Sequence, residues 1–261
     1  MRRRRSSALL NLHLGLVFLF LYGPILVLVA LSFNRAGLPT AWTGFSFRWY
    51  EALAGNASIH HAVGNTLIVA VASTLIATAI GTLLAIGVER GRGSPALDAA
   101  LFAPMIIPDI VLAIALLSFF SMMKLTLGLH SIVLAHVVFN IAFVAAVVRT
   151  RLKHFDWSVV EVSADLGASA FTTFRLITLP IIFPGVLAAA LLAFTLSVDE
   201  FIIAYFTSGA GPASTTFPMR VYSMIRFGVT PEINAIATIV IGVSFTLVLV
   251  SQRLLGLRDR A

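Results

Sequence analysis

Glu161-Val-Ser-Ala-Asp-Leu-Gly167, followed after nine residues by Ile177-Thr-Leu-Pro180, separates two long apolar runs and carries its own folding instructions. Trp157 to Leu166 reads as one short helix, with Gly167 as its left-handed stop, because glycine takes positive φ without a Cβ penalty. Ser169 is placed to cap a second helix from about Ala170. Pro180 marks a kink or boundary before the next apolar run. The stretch therefore predicts a helix–glycine–helix elbow, a stiff connection in which force on the first piece moves whatever is attached to the second.

The elbow's surface is unusual for a plain connection. Val159, Val162 and Leu166 fall on one helical face, with Phe171 and Phe174 following. Glu161 and Asp165 stand at i and i+4, where like charges weaken an isolated helix. Both features fit a partner protein that offers an apolar groove and a basic residue. They also fit a self-contained loop whose apolar residues pack on the chain's own helix ends, with Arg149, Arg151 or Lys153 neutralising the carboxylates.

Outward from the elbow, composition sets the class. A mean hydropathy of +1.00, with 59% hydrophobic and 11% charged residues, lies outside the soluble range. There are no cysteines, which removes disulfides and thiolate metal sites. The net charge of +7 does not point to nucleic acid, because the basic residues sit at the ends of apolar runs and are not interleaved with stacking aromatics.

A helix needs about 20 apolar residues to cross roughly 30 Å of hydrocarbon. Six segments qualify, near Leu9–Ser32, Ala62–Val88, Leu101–Met123, Ser131–Val148, Ile181–Tyr205 and Pro231–Leu249. Thr230 can cap the last, with Pro231 at its first helical position. The first is longer than the apolar region of a signal peptide and reads as a retained span. The expectation is one all-α membrane protein of six transmembrane helices. With the N-terminus inside, 13 of the 18 Lys and Arg fall in cytoplasmic segments, leaving only Arg35, Arg48, Lys124, Arg220 and Arg226. This bias puts both termini in the cytoplasm. It also puts Glu161–Pro180 there, in agreement with a partner approaching from that side.

Within the second span, Thr66, Ala70, Thr74, Thr78 and Thr82 recur every four residues, as do Ser73, Ala77, Gly81 and Ala85. Small and hydroxylated residues at this spacing let helices approach closely, so this helix is expected to be enclosed by protein. Asp109, Asp199 and Glu200 lie at membrane depth, where a carboxylate costs at least ~2.5 kcal/mol on insertion scales and so faces a cavity or a partner. Pro104 and Pro108 break the helix ahead of Asp109. Asp199 and Glu200 point about 100° apart on a helix, so at most one of them faces a pore squarely. Three acids, with no Lys or Arg inside the spans, favour a cationic cargo. A buried ion pair or hydrogen bond is the competing reading for each acid. His136 and Asn140, one turn apart, read as interhelical hydrogen-bond glue. His60-His61 lacks further ligands nearby and is not read as a metal site. No G-x-x-x-x-G-K-[ST] loop occurs, so the chain has no phosphate cradle of its own and is not read as an enzyme.

The Glu161–Pro180 stretch resembles the cytoplasmic coupling loop of permease subunits of ATP-binding-cassette importers, whose signature is E-A-A, three residues, Gly, nine residues, I-x-L-P. The Glu, the Gly, the gap and the closing Ile-x-Leu-Pro match; Val162 and Ser163 replace the two alanines. Leu196-Ser-Val-Asp-Glu-Phe201, Phe206-Thr-Ser-Gly209, Val221-Tyr-Ser-Met224 and Gly228-Val-Thr-Pro-Glu-Ile-Asn-Ala235 resemble the second permease subunits of spermidine/putrescine importers. Ile107-Pro108-Asp109-Ile110-Val111 is similar to that family's third span. The similarity covers about Gly64 to Ser251.

The resemblance implies a type I importer permease bundle of the MetI-like kind. Residues 1–33 would hold the N-terminus and first span, and 62–255 the core, with the coupling loop at 149–180. It assigns ATPase coupling to Glu161, Ala164, Asp165, Leu166, Gly167, Ile177, Leu179 and Pro180. The substrate pathway falls to Asp109, Asp199, Glu200 and Tyr222, and the outer segment Thr207–Phe227 to a gate or docking surface. The implied partners are a second permease subunit, two ATP-binding subunits that carry ATP and Mg, and a periplasmic substrate-binding protein, all at the bacterial inner membrane. The chain itself binds no cofactor on this reading. The implied cargo is a polyamine; importers of opines and other small organic solutes share much of the pattern. An ion-coupled secondary transporter using Asp109 or Asp199 is the alternative from another class, but it has no use for the Glu161–Pro180 signature.

Overall fold

A computed structural model describes residues 2–36, 41–91, 94–226 and 231–258, with side chains from 10 to 246. The described residues are helical apart from connections and one isolated bridge, Asn34 to Phe45. The chain forms two compact units, residues 1–57 with 221–261, and residues 58–220.

The first unit holds α1 (Arg2–Ser32), the short α2 (Arg48–Ala54) and, after the second unit, α12 (Pro231–Arg258). α1 and α2 both pack on α12. Asn56 donates to Glu232 Oε1 at 3.3 Å, tying the residues after α2 to the first turn of α12. Pro231 opens α12 and is fully buried; its expected cap, Thr230, lies outside the described residues, as do Arg92 and Gly228-Val229.

The second unit contains α3 (Ala57–Arg90), α4 (Pro95–Ile106), α5 (Asp109–Met122) and α6 (Leu129–Leu152). They are followed by α7 (Ser158–Asp165), α8 (Ala170–Thr173), a π-helical turn at Phe174–Thr178, α9 (Leu179–Asp199), α10 (Ile202–Thr207) and a 3₁₀ turn at Pro212–Ser214. α11 (Phe217–Arg226) is divided between the units, with residues 217–220 in the second and 221–226 in the first. α6 is the axis of this unit. It packs on α9, α4, α10 and α5, and Ile132, Ala135, Ala142, Val144, Ala145 and Val148 along it are fully buried.

The small-residue face of α3 is buried as expected, from Thr66 and Ala70 through Ser73, Ala77, Gly81 and Ala85. At Gly81 a Cβ would come within 2.8 Å of Val144, so α3 and α6 touch almost backbone to backbone there. Only that face is enclosed: Leu67, Leu75 and Leu83 on the other side point outward.

Among the described residues four helices are long and apolar enough to cross a membrane: Leu10–Ser32, Ala57–Arg90, Leu129–Leu152 and the continuous helix Ala170–Asp199. The six expected spans are therefore not all reproduced. The third is a pair, α4 and α5, bent by 108°. At 12 and 14 residues each arm reaches about 18 to 21 Å, less than a bilayer core; counted as one span, the pair makes five. The break lies at Ile107-Pro108, which takes extended backbone, whereas Pro104 sits within α4 without ending it. The expected fifth span also breaks, between Asp199 and Ile202, instead of running on to Tyr205. The sixth is helical throughout α12, but its described apolar stretch, Pro231–Thr246, falls short of a span by length.

Candidate functional site

The elbow forms as its sequence dictates. Asp156 accepts the N–H of Ser158 at 3.0 Å, which starts α7; hydrogen bonding from the Ser158 side chain first, and from its N–H second, holds the Asp156 carboxyl below the usual carboxylate range. Gly167 ends the helix at φ +84°. The N–H of Gly167 donates to Ala164 at 2.9 Å and that of Ala168 to Ser163 at 3.1 Å, the paired bonds of a Schellman stop. Ser169 then caps α8, its hydroxyl accepting the N–H of Thr172 at 3.2 Å.

Two inward residues of α7, Val160 and Ser163, fix it to the bundle. Val160 packs with Leu152, Phe155 and Ile182 at the joined ends of α6 and α9. Ser163 reaches across the turn to the Thr173 hydroxyl at 2.8 Å, both groups buried. The serine that departs from the two-alanine pattern is thus the one that pins the elbow. Pro180 brings a finding of its own. The helix does not break there but runs from Ala170 to Asp199, because the π turn at Phe174–Thr178 widens the ladder just ahead of the residue that lacks an N–H.

The other face of the elbow is uncovered. Leu166 is 83% and Phe171 70% exposed, with Val162 and Leu176 beside them. A groove of about 310 Å³ runs between Val159, Val162, Leu166, Ala168 and Ile177. Leu179 is half-buried and packs on the core instead, while Glu161, Ala164 and Asp165 point outward. No ion pair among the described residues engages Glu161 or Asp165. Arg149, one candidate to neutralise them, is held elsewhere, with Glu89 Oε1 at 2.7 Å and Asp98 Oδ1 at 2.9 Å. The self-contained reading of the loop loses that support.

The second candidate region lies at the two helix breaks. Asp109 opens α5, and α5 packs on α10. Asp199 is exposed at the end of α9. Glu200 turns the other way: its two oxygens accept the N–H groups of Ile203 and Ala204, each at 3.0 Å, and so replace the carbonyls that the break removes. His136 Nε2 stands 3.6 Å from Glu200, while its Nδ1 lies 2.6 Å from the Ser197 hydroxyl, which in turn meets Ser73 at 2.9 Å. This buried chain joins α3, α6 and α9 behind the break. The sequence marks His136 as interhelical glue but not Ser197, whose one signal is its position two residues before the acidic pair Asp199-Glu200. Asn140 is fully buried and its side chain makes no hydrogen bond among the described residues. Tyr222 belongs to the first unit and is 46% exposed.

The outer segment after α10 is pinned. Asn65 donates to the carbonyls of Pro212, Ala213 and Thr215 at 3.0–3.3 Å, Ser131 to Thr207 at 2.7 Å, and the Phe217 N–H to Thr66 at 2.7 Å. Among the described residues no group of three or more His, Asp or Glu is arranged to hold a metal ion.

With this geometry in place, the comparison with known proteins is direct. Residues 77–260 match the inner membrane component of binding-protein-dependent transport systems. The chain belongs to that family. Two relatives extend the match over nearly the whole permease. The spermidine/putrescine transport system permease protein PotC of Escherichia coli K12 is 41% identical over 238 residues, covering 90% of this chain and 89% of the relative. The putrescine transport system permease protein PotI of the same organism is 42% identical over 234 residues, covering 86% and 83%. In fold, a chain of a bacterial ABC transporter that imports the acidic polysaccharide alginate superposes with a TM-score of 0.74 at 17% identity, over 98% of this permease and 96% of that chain. A chain of the MetNI methionine ABC transporter gives 0.57 at 18% identity, over 74% and 90%. The permease is thus an all-helical, multi-pass inner-membrane transport component with the importer-permease fold.

Proposed function

We propose that this permease carries a polyamine-sized organic cation inward by alternating access, driven by ATP hydrolysed on separate subunits. The identity above 40% to PotC and PotI across nearly the full chain carries the cargo class. The acids at the helix breaks supply the chemistry: Asp199 and Asp109 attract ammonium groups, and the arginines of the described spans (Arg90, Arg149, Arg151 and Arg175) lie toward the span ends and leave the interiors without a Lys or Arg to repel them. Glu200 sets the shape of the break behind them.

The elbow is the coupling element. Its exposed Val162, Leu166 and Phe171, with unpaired Glu161 and Asp165, dock on an ATP-binding subunit, which carries ATP and Mg. α7 cannot move without α9, because Val160 and Ser163 bind it there. α9 ends at Asp199, so motion at the elbow reaches the acidic break along one continuous helix. A second permease subunit and a periplasmic binding protein complete the assembly, with both termini in the cytoplasm.

The test is uptake by the reconstituted complex with a panel of polyamines, opines and ferric iron. ATP-dependent accumulation of spermidine or putrescine is the expected outcome. Uptake of an anionic or neutral solute in its place overturns the cargo class, and accumulation without ATPase subunits overturns the mechanism.

A further inference from the structure

The loop between α1 and α2 has no assigned part in the coupling or the cation path, yet it carries a cluster of aromatic rings. Phe33 stacks on Phe45 with ring centres 5.1 Å apart, and Phe47 meets both edge-on at 5.5 and 5.1 Å. Tyr50 closes the cluster against Phe33 at 5.1 Å. The backbone beneath is built to hold it. Asn34, fully buried, donates to the Ala41 carbonyl at 2.7 Å and accepts the Thr43 N–H at 2.9 Å. Its own carbonyl accepts the Trp49 indole N–H at 2.8 Å. Tyr50 meets the hydroxyl of Ser32, the last residue of α1, at 2.7 Å.

This framework spends its polar groups inward and turns aromatic rings outward: Trp42, Phe45 and Phe47 are each between 56% and 57% exposed. Contiguous exposed apolar surface of this kind marks a contact with a partner or a membrane. Position decides between them. The loop leaves the end of a membrane-spanning helix at Ser32 and re-enters another at Ala57, and the Ser32–Tyr50 bond holds the cluster at the mouth of the first. Rings tethered there sit at the depth of the lipid headgroups, where amphipathic aromatics are favoured. The two cations of the loop agree. Arg35 and Arg48 are exceptions to the cytoplasmic bias of Lys and Arg, and Arg48 lies over the Trp49 ring at 5.1 Å. At that depth their guanidinium groups meet lipid phosphates.

We propose that residues 41–50 form an interfacial anchor that lies in the outer-leaflet headgroup region, with Trp42, Phe45 and Phe47 as its membrane-facing side chains. The chain has no cysteine, which gives a direct test in the assembled transporter. Single cysteines replace Trp42, Phe45 or the exposed Glu51, carry a nitroxide, and are reconstituted in phosphatidylethanolamine/phosphatidylglycerol nanodiscs. Collision rates with oxygen and with a water-soluble nickel chelate then report depth. The labels at 42 and 45 are expected to show a higher oxygen-to-nickel ratio than the label at 51, at headgroup depth. Trp42 lies outside the ring stack, so its replacement leaves the cluster intact if Phe45→Cys disturbs it. Free access of the nickel chelate to 42 and 45 overturns the proposal. So does protection from both reagents, which would mean that a protein subunit covers the patch. Neither result bears on cargo or ATP coupling.

Discussion

The hydroxyls of Ser163 and Thr173 meet at 2.8 Å across the Gly167 turn, and they are the only side-chain hydrogen bond among the described residues that joins α7 to α8. Removing either partner leaves the other buried and unsatisfied, at about 1–3 kcal/mol. Ser163→Ala and Thr173→Val are each expected to lower the thermal midpoint of the purified complex, and the double variant to cost less than their sum. Strict additivity in that cycle would show that the bond does not hold the elbow.

Gly167 separates conformation from contact. A Cβ there meets nothing within 4 Å, so any cost of substitution comes from φ +84° alone. Left-handed backbone costs an ordinary residue about 1–2 kcal/mol, and asparagine less. Polyamine uptake and stimulated ATPase activity are expected to fall in the order Gly, Asn, Ala, Val, with Gly167→Pro inactive though still inserted in the membrane. Equal uptake by the Asn and Val variants would refute the elbow's part in coupling.

The elbow was legible because each signal in it is local. Gly167, the Ser169 cap and the exposed Leu166 and Phe171 need only their neighbours to be read, and the structure places them as expected. The broken spans were not legible in the same way. Nothing in Leu196-Ser-Val-Asp-Glu-Phe201 announces that Glu200 bends back to cap Ile203 and Ala204, since that fold depends on α10 packing against α5 and α6. Pro104 and Pro108 are both helix breakers in sequence, yet only the second breaks, where Pro108 takes ψ 135° and its carbonyl accepts the N–H groups of Val111 and Leu112. Likewise a proline at 180 signalled a boundary, and the π turn before it absorbed the missing bond.

Asp199 and Glu200 are adjacent in sequence and opposite in situation, so their amide variants separate cargo attraction from architecture. Asp199→Asn is expected to raise the KM for spermidine uptake about tenfold or more, since a lost charge-assisted contact of 1.5–3 kcal/mol is worth that, while the thermal midpoint stays unchanged. Glu200→Gln turns an NH₂ toward one of the two N–H groups that its carboxylate accepts. That variant loses stability before it loses affinity. An unaltered KM in Asp199→Asn would remove Asp199 from the cargo path.

Gly209 tests the pinned outer segment. A Cβ there would collide with the Leu127 carbonyl oxygen, which is backbone and cannot swing away. Gly211, two residues on, has φ +85° and open space around its Cβ position. Gly209→Ala is therefore expected to lower the thermal midpoint more than Gly211→Ala, whose cost is left-handed strain of about 1–2 kcal/mol. The reverse order would mean that the α5–α6 connection yields to the segment and that the two are not locked together.

Arg149, in the last turn of α6, ties three helices together, reaching Glu89 on α3 through Nε and Asp98 on α4 through a terminal nitrogen. Its guanidinium also lies over the Phe102 ring at 5.4 Å. The fork matters more than the charge: Lys is one point donor and cannot hold two carboxylates set apart in this way. Both pairs are partly exposed, so each contributes only about 0–1 kcal/mol. The larger loss on Arg149→Met comes from leaving two acids facing each other without a cation. Arg149→Lys is expected to be intermediate, and Arg149→Met to lower the thermal midpoint and uptake together. Adding Glu89→Gln and Asp98→Asn to Arg149→Met should restore part of the midpoint, because no uncompensated charge then remains. Uptake need not follow, since the neutral triple variant lacks the clamp that keeps α4 on α6 beside the elbow. If the triple variant is no more stable than Arg149→Met, the cluster is held by packing around Phe102 and not by its charges.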